Sequence, residues 1–573
     1  MQQETRNCQN CKQDFVIEPD DFNFYEKMKV PAPTFCPDCR MMRRLTFRNE
    51  RTMYKRKCDA PEHSEEMISI FSPDKEDVIY DQAAWWSDIW NPIDYGRDYN
   101  FSKSFFSQLR ELWKQVPDIA LINYNCVNSE YCSITEGNKD CYLVVGGDFN
   151  ENSLYSSFIF HCKETMDSHW VSKSELNYET VDCIKCTRLL WSRYCEDCYN
   201  SAFLLNCRNC HDCFGCNNLV SKSYYFFNEQ LSKDSYQKKM GEMNLKSWAF
   251  VSAMKERAAK ESLKYPRRYA RILRSSNVNG DNVENSKNCK HAFEVFEGAE
   301  DSSYLWLIYS SVKDCFDIDH AGLNSELSID CSTIYPASRV FYSRILRSCH
   351  DVFYSYNLHN SSYCFGCVGL RDKQYCILNK QYSEKEYNEF VSKIIKHMDD
   401  MPYKDMRGNI YKFGEFFPDE ISPFCYNETV AQELFPMSRE KAITLGYHWK
   451  DPEKREYKPT ISADNIPDSI DDVKDSITNE VIECAHKGVC SEQCSSAFKV
   501  TSTELEFYRR MGIPVPHLCP NCRHYQRLRQ RNPLKLWHRQ CMKEGCTNEF
   551  ETSYSPDRLE IVYCEQCYQQ EVA

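Results

Sequence analysis

The most regular pattern in the chain is a small residue at every sixth position, which occurs in two stretches. In the first, with Leu204 as the exception, these positions are Ser156, Cys162, Ser168, Ser174, Thr180, Cys186, Ser192, Cys198, Leu204, Cys210 and Cys216. In the second they are Ser325, Cys331, Ala337, Ser343, Cys349, Ser355, Ser361 and Cys367. An α-helix turns by about 600° in six residues and has no reason to place small residues there. Stacked short strands bring such positions to one crowded interior corner of successive coils.

The pattern therefore predicts two β-solenoid segments, residues 117–230 and 286–382. The length of one turn stays open, since a turn of two, three or four such periods fits the pattern equally well. An offset of 151 residues relates the segments, because Cys213-Phe214-Gly215-Cys216 recurs as Cys364-Phe365-Gly366-Cys367. Each block runs into a predicted helix, and Ser383 and Glu386 form a capping box for the second.

The two ends of the chain are copies of one module, related by a constant offset of 483 residues. The shared positions include Cys11, Phe24, Tyr25, Cys36, Cys39, Arg40, Arg44 and Arg48, which recur as Cys494, Phe507, Tyr508, Cys519, Cys522, Arg523, Arg527 and Arg531. Phe24 and Phe507 lie in predicted short helices. Thr501 and Glu504 offer a capping box for the second of these helices.

Each module carries cysteine pairs at the spacing of a four-cysteine metal site. The predicted ligands are Cys8, Cys11, Cys36 and Cys39 in the first module, and Cys490, Cys494, Cys519 and Cys522, then Cys541, Cys546, Cys564 and Cys567, in the second. Two such pairs complete a tetrahedral thiolate shell without a position for substrate, as in structural zinc sites. We therefore expect about three structural Zn2+ ions.

The N-terminal counterpart of the third site is incomplete. At the same offset its four positions are Cys58, His63, Asp81 and Ala84. Alanine cannot coordinate a metal, so two interpretations remain: an eroded site held by apolar packing, or three ligands plus water. The tryptophans that follow, beginning with Trp85, favour packing.

The order Cys-x2-Cys, Phe, Phe-Tyr, Pro and Cys-x2-Cys-Arg resembles the probable zinc-ribbon domain family, over roughly 40 residues at each end. The phrases Cys519-Pro-Asn-Cys522-Arg523-His524 and Ser555-Pro-Asp-Arg558 carry this likeness. The whole chain also resembles large zinc-ribbon proteins of candidate-phyla bacteria, a group without an assigned activity. The resemblance implies zinc and ribbon-like or treble-clef-like modules, and it implies no reaction.

The first solenoid segment adds four further cysteine pairs. They are Cys183 and Cys186, Cys195 and Cys198, Cys207 and Cys210, and Cys213 and Cys216. Small buried thiols stacked between coils explain this spacing. The alternative is one or two further metal sites built from adjacent coils, with an iron–sulfur cluster as a weaker version.

The composition of the chain indicates its cellular compartment. The chain contains 34 cysteines among 573 residues, and its start, Met1 to Asn10, lacks an apolar signal stretch. No apolar run is as long as the about 18 residues needed to span a membrane. We therefore predict a cytoplasmic protein with no membrane partner, in which paired cysteines bind metal.

Charge is distributed unevenly along the chain. Residues 1–58 carry +4 and residues 481–573 carry +1, so residues 59–480 carry −18 and the net charge is −13. The basic residues that follow the cysteine pairs are Arg40, Arg43, Arg44, Arg48, Arg523, Arg527, Arg529 and Arg531, with Trp537 nearby. Guanidinium groups pair with phosphates, and aromatic rings stack on unpaired bases, which suits RNA or single-stranded DNA. The alternative is pairing with the acidic centre or with a protein partner.

Three functions are therefore considered. The first prediction is a non-enzymatic interaction scaffold with structural zinc at both ends. The second is nucleic-acid binding through the basic segments. The third and weakest is a carbohydrate-active β-helix enzyme, for which Asp167, Asp317 and Asp319 would be candidate acids. Because no phosphate-binding loop, nucleophile elbow or His-Glu-x-x-His motif occurs, we predict no catalytic residue.

Taken together, the sequence predicts a mainly β fold with added helices, in which two solenoid segments are flanked by zinc-binding modules. The predicted division is 1–58 zinc ribbon, 59–116 degenerate second ribbon and connection, 117–230 first solenoid segment, 231–285 helical connector, 286–382 second solenoid segment, 383–400 helix, 401–480 connecting segment with an acidic linker, and 481–573 tandem zinc-ribbon module.

Overall fold

The computed structural model describes residues 2–63, 65–451 and 458–572. It is mainly β with added helices, and two solenoid segments form its body. Groups of four cysteines flank these segments at both ends of the chain. The predicted fold class is confirmed.

Each turn of the first segment spans two of the predicted periods and has four short sides. One turn leads from His169 to Val181, which are parallel backbone partners. Every third residue has a positive φ and makes a corner, for example Asp167 at 51° and Trp170 at 56°. The residue after each corner faces the interior, as Ser168 does with 0% exposure. Inward positions thus recur at every third residue, and the period of six marks two opposite columns of them.

Hydrogen bonds between turns explain why the inward residues are small. Ser168 Oγ donates to the Met166 carbonyl at 3.0 Å and accepts the N–H of Thr180, one turn later, at 3.2 Å. The N–H of Ser168 is in turn donated to Ser156 Oγ at 3.1 Å. A buried backbone N–H must find such a partner. A short hydroxyl side chain provides that partner inside the narrow coil.

The first segment is built from very short strands. They are Asn123–Tyr124, Thr135–Glu136, Ser157–Phe160, His169–Ser172, Val181–Ile184, Thr187–Leu190, Tyr199–Ala202, His211–Phe214, Ser223–Phe226 and Glu229–Gln230. Isolated parallel bridges between residues one turn apart, such as Val181 and Arg193, join the other sides of the coil.

The second segment has longer strands, all in one sheet. They are Ile272–Leu273, Ser276–Glu284, Lys287–Val295, Ala299–Ile308, Val312–Ala321, Ser325–Phe341, Arg344–Phe353, Tyr356–His359, Ser362–Phe365, Gln374–Ile377 and Lys380–Gln381. One turn leads from Lys287 to Glu300, whereas the later turn from Arg344 to Tyr356 is shorter by a single residue.

Helices close the segments and build the terminal modules. The α-helices are Pro19–Met28, Pro37–Leu45, Gln82–Trp86, Phe105–Trp113, Lys233–Gly241, Trp248–Ser262, Glu384–Asp400, Val430–Leu434, Arg439–Thr444, Ser502–Met511, Pro520–Leu528 and Glu565–Val572. The capping boxes predicted at Ser383 and Thr501 are both present. Of the helices described, none has the length and apolar character needed to cross a bilayer.

The remaining elements are short. The 3-10 helices are Pro92–Tyr95, Asp419–Ile421, Tyr426–Glu428, Ala463–Asn465, Ile470–Asp472 and Asp475–Asn479. The other strands are Glu4–Asn7, Asp14–Ile17, Tyr54–Lys57, Glu66–Ser69, Ile79–Tyr80, Asp118–Ile119, Arg267–Arg268, Tyr403–Lys404, Ile410–Tyr411, Ile482–Glu483, Ala497–Phe498, Trp537–Gln540, Glu549–Thr552 and Val562–Tyr563.

Two predicted connections differ in the structure. The connector 231–285 is helical only as far as Ser262, and the second segment begins at Ile272. Its Asn-rich sequence fits the coil because Asn tolerates the positive φ of a corner, as at Asn277 with 53°. The second segment therefore begins earlier than the predicted boundary at residue 286.

The segment 401–480, predicted as a connection with an acidic linker, contributes buried residues to two hydrophobic cores. Phe416 and Phe417 are fully buried beside the N-terminal module. Ile470 and Ile477 are buried beside the C-terminal module. Apolar residues are few in the acidic stretch, but those present bury almost completely. Residues 452–457 of this segment lie outside the described residues.

The interior of the coil should not accept a large side chain. We expect Ser168→Leu to destabilise the protein by about 1–3 kcal/mol, because it overpacks a closed corner and removes the acceptor for the N–H of Thr180. Glu175→Leu, an exposed position in the same segment, is the matched control and should change stability little. Urea unfolding curves measure both, and equal midpoints would contradict the assigned interior.

Candidate metal centres and the interfaces beside them

The first candidate metal centre joins a hairpin to a helix in the N-terminal module. Cys8 and Cys11 lie in the turn between strands Glu4–Asn7 and Asp14–Ile17, while Cys36 and Cys39 lie at the start of helix Pro37–Leu45. The four sulfur atoms lie within 4.8 Å of one another, and Cys11 Sγ is 3.7 Å from Cys36 Sγ. Sulfur atoms bound tetrahedrally at about 2.3 Å from zinc are separated by about 3.8 Å. These four residues can hold one metal ion.

The second centre uses Cys484 where the sequence predicted Cys490. Cys484, Cys494, Cys519 and Cys522 form the compact group of four sulfur atoms. Cys484 Sγ accepts the N–H of Cys519 at 3.3 Å, just as Cys8 Sγ accepts the N–H of Cys36 at 3.3 Å in the first module. The prediction of Cys490 in this shell was wrong, because it matched cysteine spacing and ignored the hairpin strands.

The third centre lies near the C-terminus, as predicted. Cys541, Cys546, Cys564 and Cys567 have their sulfur atoms within 4.8 Å of one another. Cys546 Sγ and Cys564 Sγ are 4.0 Å apart. Three groups of four cysteines can therefore each hold a metal ion.

The N-terminal counterpart of the third centre keeps three potential ligands. Cys58, His63 and Asp81 lie within 4.8 Å of one another, and His63 Nδ1 is 2.8 Å from Asp81 Oδ2. Cys58 Sγ accepts the N–H of Asp81 at 3.3 Å, which repeats the contact between Cys541 and Cys564. Trp85 beside them is fully buried. Packing and a retained ligand set therefore coexist at this position.

The eight solenoid cysteines line the interior of the coil. They are Cys183, Cys186, Cys195, Cys198, Cys207, Cys210, Cys213 and Cys216, each with 1% exposure or less. Their thiols donate to backbone carbonyl groups, as Cys186 Sγ does to Ile184 at 3.3 Å. Burial raises the pKa of Cys183 and Cys195, which favours the protonated thiol. Among the residues that the structure describes, no group able to hold a metal includes them.

The arginines of the N-terminal module are buried against the second solenoid segment. Arg44 Nε lies 2.7 Å from Asp319 Oδ2, and its Nη1 lies 2.6 Å from Asp330 Oδ1. Arg40 Nε lies 2.9 Å from Asp317 Oδ1. Burial alone would lower the pKa of Arg44, but the two aspartates raise it, so the guanidinium stays charged.

Two further arginines complete this interface. Arg43 joins Asp330 at 3.1 Å and Glu415 at 2.9 Å, which ties the segment after the solenoid to the same cluster. Arg48 pairs with Glu50 of the same module through an Nε–Oε1 hydrogen bond of 2.8 Å, and its Nη2 lies 3.4 Å from His320 Nδ1 of the second segment.

The arginines of the C-terminal module make the corresponding contacts with the first segment. Arg523 and Arg527 both pair with Asp167, and the Arg527 Nη1–Oδ1 distance is 2.8 Å. Arg531 Nη2 lies 3.1 Å from Asp182 Oδ1 in the first segment and 2.6 Å from Glu294 Oε1 in the second. Arg531 therefore connects the two segments as well.

The two interfaces are equivalent, and the chain crosses between them. Asp21 accepts a hydrogen bond from Tyr304 Oη at 3.1 Å, and Glu504, its counterpart in the C-terminal module, accepts one from Tyr155 Oη at 2.8 Å. The arginines of helix Pro37–Leu45 thus dock on the second segment, and those of helix Pro520–Leu528 dock on the first.

These contacts bury most of the arginines predicted to meet nucleic acid. Arg40, Arg43, Arg44, Arg48, Arg523 and Arg527 are each 4% exposed or less. The Arg529 side chain is 60% exposed and pairs with Glu492. Trp537 is partly exposed.

The three aspartates considered as acids for carbohydrate chemistry are also buried in ion pairs. Asp167, Asp317 and Asp319 are at most 2% exposed, and each pairs with an arginine. In this structure their carboxylates are not accessible to a carbohydrate substrate.

A cavity of about 750 Å³ lies between the two solenoid segments. Trp170, Tyr309 and Tyr335 contribute aromatic walls, and the hydroxyls of both tyrosines are buried without a hydrogen-bond partner among the described residues. Asp148 accepts the N–H of Glu136 at 2.8 Å, and burial raises the pKa of Asp148 to about 6. The size and lining suit a small ligand with apolar and hydrogen-bonding faces.

Removing the shared carboxylate of the C-terminal interface should be costly. We expect Asp167→Asn to destabilise the protein by about 3–5 kcal/mol, because two buried guanidinium groups lose their counter-ion. Asp197→Asn, an exposed aspartate at another corner of the same segment, is the matched control. Denaturant unfolding distinguishes the two, and a similar small effect of both would contradict the assigned ion pairs.

No protein-family model matches the chain, and no curated protein matches it. The function is therefore inferred from the contacts described above.

Proposed function

We propose that this protein is a zinc-stabilised, non-enzymatic scaffold whose terminal modules fasten a two-segment solenoid into one body. The observation that carries the proposal is the pair of equivalent interfaces, in which buried arginines meet solenoid aspartates. Because these charge pairs are buried between the modules and the solenoid, they hold the chain together and are not exposed to bind other molecules.

Zinc is the metal proposed for the three four-cysteine groups. Four thiolates in a tetrahedron suit zinc and leave no open coordination position, which fits a structural role and no catalytic one. Membership of the zinc-ribbon family is part of the same proposal and is supported by the motif order at both ends.

The metal would control the docking through helix position. Helix Pro37–Leu45 begins beside Cys36 and carries Arg40, Arg43 and Arg44. These three arginines are spaced so that they share one face of the helix. A metal ion that fixes Cys36 and Cys39 therefore also fixes the direction in which the arginines point.

Nucleic-acid binding has weaker support. The six arginines that would meet phosphate groups are buried and already paired with carboxylates. An enzymatic role has weaker support as well, since the candidate acids lie in the same ion pairs. A protein partner is expected to meet the outward faces of the coil, where the parallel bridges keep successive turns in register.

The coupling of metal to docking can be measured by hydrogen exchange. We expect the Cys36→Ser/Cys39→Ser variant to lose one zinc ion per chain. Its backbone amides should exchange hydrogen faster in strands Val312–Ala321 and Ser325–Phe341. These strands receive the arginines, although they lie far from the cysteines in sequence. Metal analysis and exchange mass spectrometry provide the two readouts.

Cys58→Ser is the matched control, because it removes a cysteine of the same module outside the four-cysteine centre. It should leave exchange in both strands unchanged. Loss of the ion without faster exchange would separate metal from docking and would refute the proposal.

A further inference from the structure

The C-terminal module contains a loop that the N-terminal module lacks. Cys8 and Cys11 are separated by two residues, whereas their structural counterparts, Cys484 and Cys494, are separated by residues 485–493. Strand pairing is the same on either side of both turns, so these residues are an insertion at the metal centre itself.

The inserted loop brings a second set of metal-binding atoms to the same centre. His486, Cys490, Glu492 and Cys522 each have a ligand atom within 4.8 Å of those of the other three. Cys490 Sγ lies 3.7 Å from Cys522 Sγ, and His486 Nδ1 lies 3.1 Å from Glu492 Oε2. In a tetrahedral zinc site, two sulfur atoms lie about 3.8 Å apart, and a nitrogen and an oxygen about 3.4 Å apart.

Glu492 gives independent support for a ligand at this point. Its side chain is 2% exposed, yet Glu492 Oε2 has no hydrogen-bond partner among the described residues. His486 Nδ1, which faces it, has none either. A buried carboxylate oxygen without a hydrogen-bond partner is costly, and the two atoms lie 3.1 Å apart without hydrogen-bond geometry. A cation bound between them satisfies both atoms.

The total charge of the ligands around the second centre is compatible with two divalent metal ions. Five thiolates and the Glu492 carboxylate supply six negative charges, and two divalent cations supply four positive charges. Arg529, which pairs with the other oxygen of Glu492, adds one more positive charge. The residual charge of −1 is smaller than the −2 of one zinc ion held by four thiolates.

We infer that the second centre, in the C-terminal module, holds two zinc ions, with the Cys522 thiolate bridging them. The inner ion is bound by Cys484, Cys494, Cys519 and Cys522, and the outer ion by His486, Cys490, Glu492 and Cys522. The outer ion lies under an exposed loop whose Val489 is 89% exposed. It should therefore exchange with solution more readily than the inner ion.

The inference rests on the proposed zinc occupancy of the inner site, because Cys522 is shared. The test is therefore a difference between variants of the full chain and not an absolute metal count. Cys490→Ser and His486→Ala change the outer shell alone. Cys484→Ser changes the inner shell, and Cys8→Ser changes the separate N-terminal centre.

We expect Cys490→Ser and His486→Ala each to lower zinc content by one ion per chain relative to wild type. In protein loaded with 113Cd, the wild type should show two resonances split by coupling through the Cys522 sulfur. In both outer-shell variants one resonance should vanish, and the other should remain as a singlet. The remaining singlet also shows that the module is folded.

Unchanged zinc content in both outer-shell variants, with no coupling in the wild type, would overturn the binuclear centre. In that result, loss of one ion in Cys484→Ser would leave the proposed function intact. If Cys484→Ser and Cys8→Ser also lose no zinc, the zinc scaffold itself fails. A Cys490–Cys522 disulfide in the purified protein, detected by mass spectrometry under non-reducing conditions, would overturn the inference too.

Discussion

The arrangement of the whole molecule depends on buried pairs between guanidinium and carboxylate groups. An arginine taken out of water without a counter-ion is strongly unfavourable, whereas a paired and hydrogen-bonded one is tolerated. Arg44 and Arg527 are among the largest fully buried side chains in the described structure. Each of these arginines is buried beside a solenoid aspartate that supplies its counter-ion. The pairs therefore specify which turns the arginine helices contact.

The geometry of the coil supplies those aspartates. Every turn needs corner residues with positive φ, a conformation that costs most L-residues about 1–2 kcal/mol and that Asp and Asn tolerate better. Asp167, Asp182, Asp317 and Asp330 are all corner residues, with φ between 49° and 57°. The constraint that shapes the solenoid therefore also places carboxylates where the modules dock, so one choice of residue serves both the fold and the assembly.

The repeats and most of the cysteine groups follow from the sequence, whereas contacts between distant parts of the chain do not. The spacing of small residues predicted both solenoid segments, but a period of six hid the true interval of three, because only two of four inward columns are uniformly small. Cys484 was missed because its partner Cys494 lies across an insertion, and only the strand pairing of Ile482–Glu483 identifies it. Pairing of the basic segments with the acidic centre was among the interpretations of the sequence, but the particular turns that receive Arg40 and Arg523 could not be read from it, since they depend on how distant parts of the chain pack.

The crossed docking of the modules is the central claim, and zero-length carbodiimide crosslinking tests it most directly. Lys27 Nζ lies 2.6 Å from Asp314, and Lys290 Nζ lies 3.1 Å from Asp20, so both pairs span the interface between the N-terminal module and the second segment. Mass spectrometry of the crosslinked monomer should identify Lys27–Asp314 and Lys290–Asp20. Crosslinks from Lys27 to carboxylates of the first segment, with neither of these two pairs found, would contradict the account.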